Sequence, residues 1–224
     1  MDFTLYLGAS RMGTELTWSG ASNSHLYISG QSGRGKSFFL RHCIVQLPRQ
    51  GVRCIVFDYG GDLHPYDIPC NTMDVRAQVG VNPFRPLLWG ENCRERPYDT
   101  AVRVAEVVIS VGSIRDSLQQ VGLRNVLKDY IARGDTRSGF SGLVSQIQND
   151  PELARTMAPT LLRLQDLDNL LPPVSQDFSW GLEQPGITVL HFDTLPNLSA
   201  QTFMTQFLLF DLWSEKLSWG ESGW

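Results

Sequence analysis

Gly30, Gly35, Lys36 and Ser37 stand at the spacing G-x-x-x-x-G-K-[ST] within the segment GQSGRGKS, and each fixed position of that pattern has a task at a polyphosphate. Glycines let backbone N–H groups turn inward around phosphate oxygens, and a helix opening at the lysine aims the positive end of its dipole at the same place. Lys36 would reach the β and γ phosphates. The Ser37 hydroxyl would complete part of a Mg²⁺ shell, because that ion takes oxygen ligands and bridges phosphates. The expected nucleotide-binding run is therefore Gly30, Gln31, Ser32, Gly33, Arg34, Gly35, Lys36, Ser37 and Phe38, with ATP and Mg as the cofactors. Such chemistry also calls for a carboxylate at a strand end. Asp58 closes VRCIVFD, Asp193 closes ITVLHFD, and Asp62 follows Asp58 in a glycine turn. Asp58 is the candidate metal carboxylate, and Asp62 joins Lys36 as a candidate for catalysis.

The elements that must hold these residues can be read from periodicity. His25 to Ser29 reads as a short strand running into the loop, FFLRHCIVQL as the helix after it, and Val52 to Asp58 as a buried strand rich in β-branched residues. Residues 3 to 19 alternate like a small β-ribbon at an edge, and a short strand is expected near Gln78 to Val81. A helical stretch follows, with apolar residues at helical spacing from Ala101 to Val111 and from Leu118 to Ile131. Asp150 before Pro151 marks a helix start, and Pro159 another. Gly186 to Asp193 reads as a second buried strand. Ser199 is the expected cap of a last helix, Ala200 to Ser218, apolar most of the way round and so expected to be buried on more than one side. The organisation expected is a single α/β domain over 1–224: a ribbon at 1–22, a phosphate-loop core at 23–90, a helical insertion at 91–183, and a core strand and helix at 184–224.

With 224 residues, 42% hydrophobic and 19% charged, the chain excludes disordered, collagen-like and long coiled-coil classes. The stretch Phe203 to Trp213 is interrupted by Gln206 and Asp211, so no transmembrane helix is expected. The N-terminal segment carries no secretory pattern, which points to a cytoplasmic location. A net charge of −4 argues against a broad basic face, so any DNA contact must be local. Cys43, Cys54, Cys70 and Cys93 form no C-x-x-C pair and read as buried thiols, and the four histidines show no ligand spacing.

Several segments together resemble the HerA/FtsK superfamily of ring-forming motor ATPases, above all the conjugative type IV secretion ATPases of the TraC class. LYLGASRMGTELTW corresponds to the family's opening ribbon, SGQSGRGKS to its "GxTGSGKS" loop, FDYGGDL to its "DpxGEy" turn, Val81-Asn82-Pro83-Phe84 to its "NP" turn, and ITVLHFDTLPNLSAQ to a later strand and helix. The resemblance implies a RecA/ASCE-like P-loop parallel sheet with a helical insertion. It implies Lys36 and Ser37 as phosphate and Mg²⁺ residues, Asp58 and Asp62 as the acidic turn facing the γ-phosphate, and Asp193 on a strand preceding the Walker B strand. In the family that Walker B strand follows the helix that here runs to Ser218, and the expectation is an ATP-binding portion without its catalytic carboxylates. Implied partners are a homo-oligomeric ring, with DNA or secretion-machine proteins as the cargo side.

Two other readings compete: a module that holds nucleotide without hydrolysing it, and a small P-loop phosphotransferase with Asp58 as base or metal ligand. In the second, Arg94, Arg96, Arg103, Arg115 and Arg124 would form a phosphate-accepting lid.

Overall fold

The computed structural model describes residues 3–20, 25–65, 68–80, 82–88, 93–134, 136–170, 180 and 185–218. The chain divides into two compact units, Met1–Val75 with Ser179–Thr194, and Arg76–Phe178 with Leu195–Trp224.

In the first unit, β1 (Thr4–Ala9) and β2 (Glu15–Ser19) form an antiparallel hairpin with Thr4 opposite Ser19 and a register shift between Tyr6 and Gly8. The outward edge of β1 meets two glutamine side chains, Gln46 and Gln50, from the turns that follow α1 (Lys36–Ile44). Thr4 N–H donates to Gln50 Oε1 at 2.9 Å while Gln50 Nε2 donates back to the Thr4 carbonyl at 2.8 Å. Gln46 treats Tyr6 the same way, at 2.8 and 3.0 Å. Two side-chain amides thus stand in for a third strand and occupy a sheet edge that would otherwise be open to pairing.

Three parallel strands make the sheet of this unit: β3 (Arg53–Asp58), β4 (Asn71–Asp74) and β5 (Gly186–His191), in the order β3-β5-β4. β5 arrives last in sequence yet lies in the middle. Its run Ile187-Thr188-Val189-Leu190 is buried throughout, as a central parallel strand requires. Alternation sends Val56, Ile187 and Val189 to one face, where Leu40 and Ile44 of α1 pack on them with Cys54 and Cys70. On the other face Phe57 and Tyr59 lie against the buried Phe192, with ring centroids 5.6 and 4.8 Å away.

Two expected strands differ. His25 to Ser29 pairs with no described strand, and Tyr27 is 89% exposed; a short apolar run becomes a strand only where a neighbour completes its ladder. The strand expected at Gln78–Val81 lies earlier, at Asn71–Asp74, and Val75–Gln78 is a helical turn, α2, while Val81 falls outside the described residues. Pairing with β5 overrides the weak strand propensity of Asn71-Thr72-Met73-Asp74.

The second unit is helical: α3 (Pro97–Val111), α4 (Ser117–Ala132), α5 (Gly139–Gln148), α6 (Pro151–Thr156), α7 (Ala158–Leu170) and α8 (Leu198–Ser218). Val104, Val108, Leu123, Leu127, Leu143, Ile147 and Leu164 share one core with Phe84, Phe140, Phe203 and Phe207. Asp150 caps α6 by accepting from the Glu152 and Leu153 N–H groups, as its place before Pro151 predicts. The cap of α8 is Asn197, whose Oδ1 accepts from Ala200 N–H at 2.9 Å, two residues ahead of the expected Ser199. The burial of α8 is also narrower than expected. Ala200, Phe203, Met204, Phe207, Leu208, Asp211 and Ser214 make one buried stripe, whereas Leu209 and Trp213 are each half exposed.

Among the described residues no helix is long and apolar enough to cross a membrane.

Candidate functional site

The segment Gly30–Ser37 leads directly into α1. Gly33 and Gly35 carry φ of 74° and 81°, and nothing stands within 4 Å of where a Cβ would sit on either. Steric room is therefore not why they are glycines; the left-handed backbone is. Left-handed residues alternating with ordinary ones turn successive N–H groups into one concavity, the arrangement that binds anions. Gly35 is the N-terminal cap residue of α1 and makes no side-chain cap, so the first-turn N–H groups of the helix have no capping side chain. Lys36 reaches back across the loop, with Nζ 2.9 Å from the Gln31 carbonyl. Its stem lies 3.8 Å from where a Cβ would sit on Gly30. The ammonium is held over the loop by the loop itself.

The sequence flanking the loop is one-sided in charge. Between Glu15 and Asp58 the sequence has no carboxylate, and it carries Arg34, Lys36, Arg41, Arg49 and Arg53 there. In a chain of net charge −4 this makes residues 16–57 a positively charged stretch of the sequence.

At the C-terminal end of β3, Asp58 is fully buried. Its Oδ1 accepts from Gly60 and Gly61 N–H at 3.1 and 2.9 Å, and its Oδ2 from Leu63 N–H at 2.9 Å. The carboxylate is committed to shaping the turn that carries Asp62, which is itself exposed. Gly61 sits at φ 72°, and a Cβ there would stand 2.9 Å from Asp193 Oδ2. The turn after β3 therefore presses against Asp193, the second residue after β5. His191 completes the junction, with Nδ1 3.8 Å from a carboxylate oxygen of both Asp58 and Asp193. The parallel register pairs Asp58 with His191, and residues two apart on a strand share a face. Sequence reasoning missed this His191 contact because it needed to know that β3 and β5 are neighbours. Among the described residues no group of three or more His, Cys, Asp or Glu side chains is arranged to hold a metal ion.

Three of the five arginines of the lid reading are ion-paired. Arg103 and Glu95 form a buried pair in the helical unit, at 2.9 Å with side chains 9% and 4% exposed, and Arg103 also donates to the Arg85 carbonyl at 3.0 Å. Arg96 pairs with Asp99 at 2.7 Å and Arg124 with Glu106 at 2.6 Å. Of the cysteines, Cys43 is buried, Cys54 and Cys70 are partly so, and Cys93 is exposed, against the expectation of four buried thiols.

Two comparisons with known proteins bear on this arrangement. Residues 14–84, the stretch holding the hairpin's second strand, the loop, α1, β3 and the Asp58 turn, match the family model described as the type IV secretion-system coupling protein DNA-binding domain. Among solved structures, VirB4 of Thermoanaerobacter pseudethanolicus superposes with a TM-score of 0.64 at 17% identity, over 94% of this chain. The chain shares the VirB4 fold. It spans 63% of the length of that structure. No curated protein matches the sequence. The family model and the superposition together support the relationship to type IV secretion ATPases carried by the sequence motifs.

Proposed function

We propose that this chain is the ATP-binding portion of a ring-forming motor ATPase that moves DNA or protein, as in conjugative transfer. The observation that carries the reading is the loop itself: two left-handed glycines, an uncapped helix start and a lysine held across them, in a stretch of 42 residues without a carboxylate. Gly30 to Phe38 would line the polyphosphate, with loop N–H groups and Lys36 taking the β and γ phosphates. The residues present suit Mg²⁺, which takes few protein ligands beside phosphates: the Ser37 hydroxyl would hold it, and it would neutralise charge on the phosphates. Asp62, exposed on its turn, is the carboxylate assigned to catalysis beside Lys36. Asp58, by its three backbone partners, is the residue that positions this turn instead of an ion ligand. A cytoplasmic location, a homo-oligomeric ring and secretion-machine partners belong to the same reading.

A nucleotide-holding module without turnover remains the second reading, favoured by the commitment of Asp58 to its turn. The phosphotransferase reading loses its lid, because three of its five arginines are ion-paired. The test is Mg²⁺-ATP binding and steady-state turnover, with and without DNA, for the chain and for Lys36→Ala. Binding and DNA-stimulated turnover that both vanish in Lys36→Ala support the motor. Binding without turnover supports the holding module, and binding indifferent to Lys36→Ala refutes the loop assignment.

A further inference from the structure

The loop contains a second cation that the phosphate-binding pattern does not call for. Arg34 stands between Gly33 and Gly35, at the middle of the anion-binding concavity, and is exposed. Its backbone N–H has only a long contact, 3.4 Å to the Gln31 carbonyl, and among the described residues its guanidinium has no hydrogen-bond or ion-pair partner. Arg85, Arg96, Arg103 and Arg124 each face a carboxylate within 3.1 Å; Arg34 shares its lack of a described partner with other exposed arginines such as Arg49, and what sets it apart is its place between the left-handed Gly33 and Gly35. An unpaired guanidinium in a loop flanked on both sides by carboxylate-free sequence has an anion as its natural counterpart. A guanidinium is a planar fork that grips a phosphate through two parallel N–H donors, which an ammonium cannot do.

We propose that Arg34 is a phosphate-binding cation acting in cis, directed at the terminal phosphate of a nucleoside triphosphate held by its own loop. The inference rests on the nucleotide-binding reading above and adds to it a residue that separates triphosphate from diphosphate. Lys36 is bonded to the Gln31 carbonyl in the empty loop, and Arg34, without a described partner, is the second loop cation able to join it at the outermost phosphate. Mg²⁺-ATP carries one more negative charge than Mg²⁺-ADP, so a cation that meets the terminal phosphate strengthens the first complex more than the second. A charge-assisted contact of this kind corresponds to about a tenfold change in affinity.

The test is calorimetric titration of the full chain with Mg²⁺-ATP, Mg²⁺-ADP and AMP, comparing it with Arg34→Ala, Arg34→Lys, Lys36→Ala and Arg49→Ala. A melting curve for each variant establishes that it is folded. Arg34→Ala is expected to weaken Mg²⁺-ATP about tenfold, Mg²⁺-ADP by no more than about threefold and AMP not at all, with Arg34→Lys intermediate. Arg49→Ala, the loss of an exposed cation outside the loop, is expected to bind like the parent. If Lys36→Ala loses affinity while Arg34→Ala does not, the role of Arg34 is overturned and the nucleotide site stands. Equal losses for ATP, ADP and AMP in Arg34→Ala would also overturn it, by showing that the residue shapes the loop. If the parent binds none of the three nucleotides, the underlying nucleotide reading fails, and the Arg34 proposal with it.

Discussion

Replacing Asp58 separates a carboxylate that builds a turn from one that binds an ion. The side chain is fully buried and accepts three backbone N–H groups between 2.9 and 3.1 Å. Hydrogen bonds to a charged acceptor contribute about 1.5–3 kcal/mol each, which would sum to roughly 5–9 kcal/mol for three. That sum is too large here, because Gly60 and Gly61 are exposed and water can take over their N–H groups; only Leu63 is partly enclosed. Asp58→Ala is therefore expected to cost about 2–4 kcal/mol. Asp58→Asn keeps one acceptor oxygen but turns an NH₂ group toward a donor, so it should recover about half of the loss. Since the chain has two units, the measurement should be local: hydrogen exchange of peptides covering 53–65, with peptides of α3 and α4 as the internal reference. Faster exchange at 60–63 with unchanged exchange in the reference helices is the expected result. Protection at 60–63 that survives in both variants would refute the turn-building role. Loss of Mg²⁺-dependent nucleotide binding with protection intact would make Asp58 an ion ligand after all.

The Glu95–Arg103 pair predicts acid sensitivity of the helical unit. Burial by itself pushes the Glu95 carboxyl up, but hydrogen bonds from Arg103, Leu87 and Thr100 and the Arg103 charge together hold it below its ordinary value. A folded-state value below the unfolded one contributes stability above the unfolded value and loses it as pH falls through the folded one. Urea melts followed by helical circular dichroism should thus weaken as the pH drops below the ordinary carboxylate range; Glu95→Gln should lower stability near neutrality by about 3 kcal/mol and flatten that acid dependence. An unchanged acid profile in Glu95→Gln would refute this assignment. Thiol mapping checks the face of the sheet packed against α1. Burial, opposed weakly by the Arg53 charge, pushes the Cys54 thiol up to about 11, so a thiol reagent at pH 8 should modify the exposed Cys93 first and Cys54 only after denaturation. Modification of Cys54 at the rate of Cys93 would mean that this face is open.

The loop was legible in the sequence because its requirements are local. Left-handed glycines at fixed offsets and a lysine at the start of an apolar helix are all properties of about eight consecutive residues. The strands Arg53–Asp58 and Gly186–His191 were legible too, from their runs of apolar and β-branched residues, although only the central one, Gly186–His191, is buried throughout its middle while Arg53–Asp58 is mostly half-buried. The hairpin was legible from alternation, but not its anchorage: nothing in the sequence marks Gln46 and Gln50 as partners of Tyr6 and Thr4, residues 40 and 46 positions away.

What the sequence determined alone, then, is the local form of the loop and the identity of the strongest elements, because both are set by short-range sterics and periodicity. Tertiary structure decided which residues those elements bring together. The insertion of β5 between β3 and β4 set His191 between Asp58 and Asp193 and pressed Asp193 against Gly61. It also turned Asn71–Asp74 into a strand that its propensity would not have made, and left His25 to Ser29 without a described partner strand. In each case the deciding energy is a ladder or a contact between residues far apart in the chain, which composition and spacing do not encode.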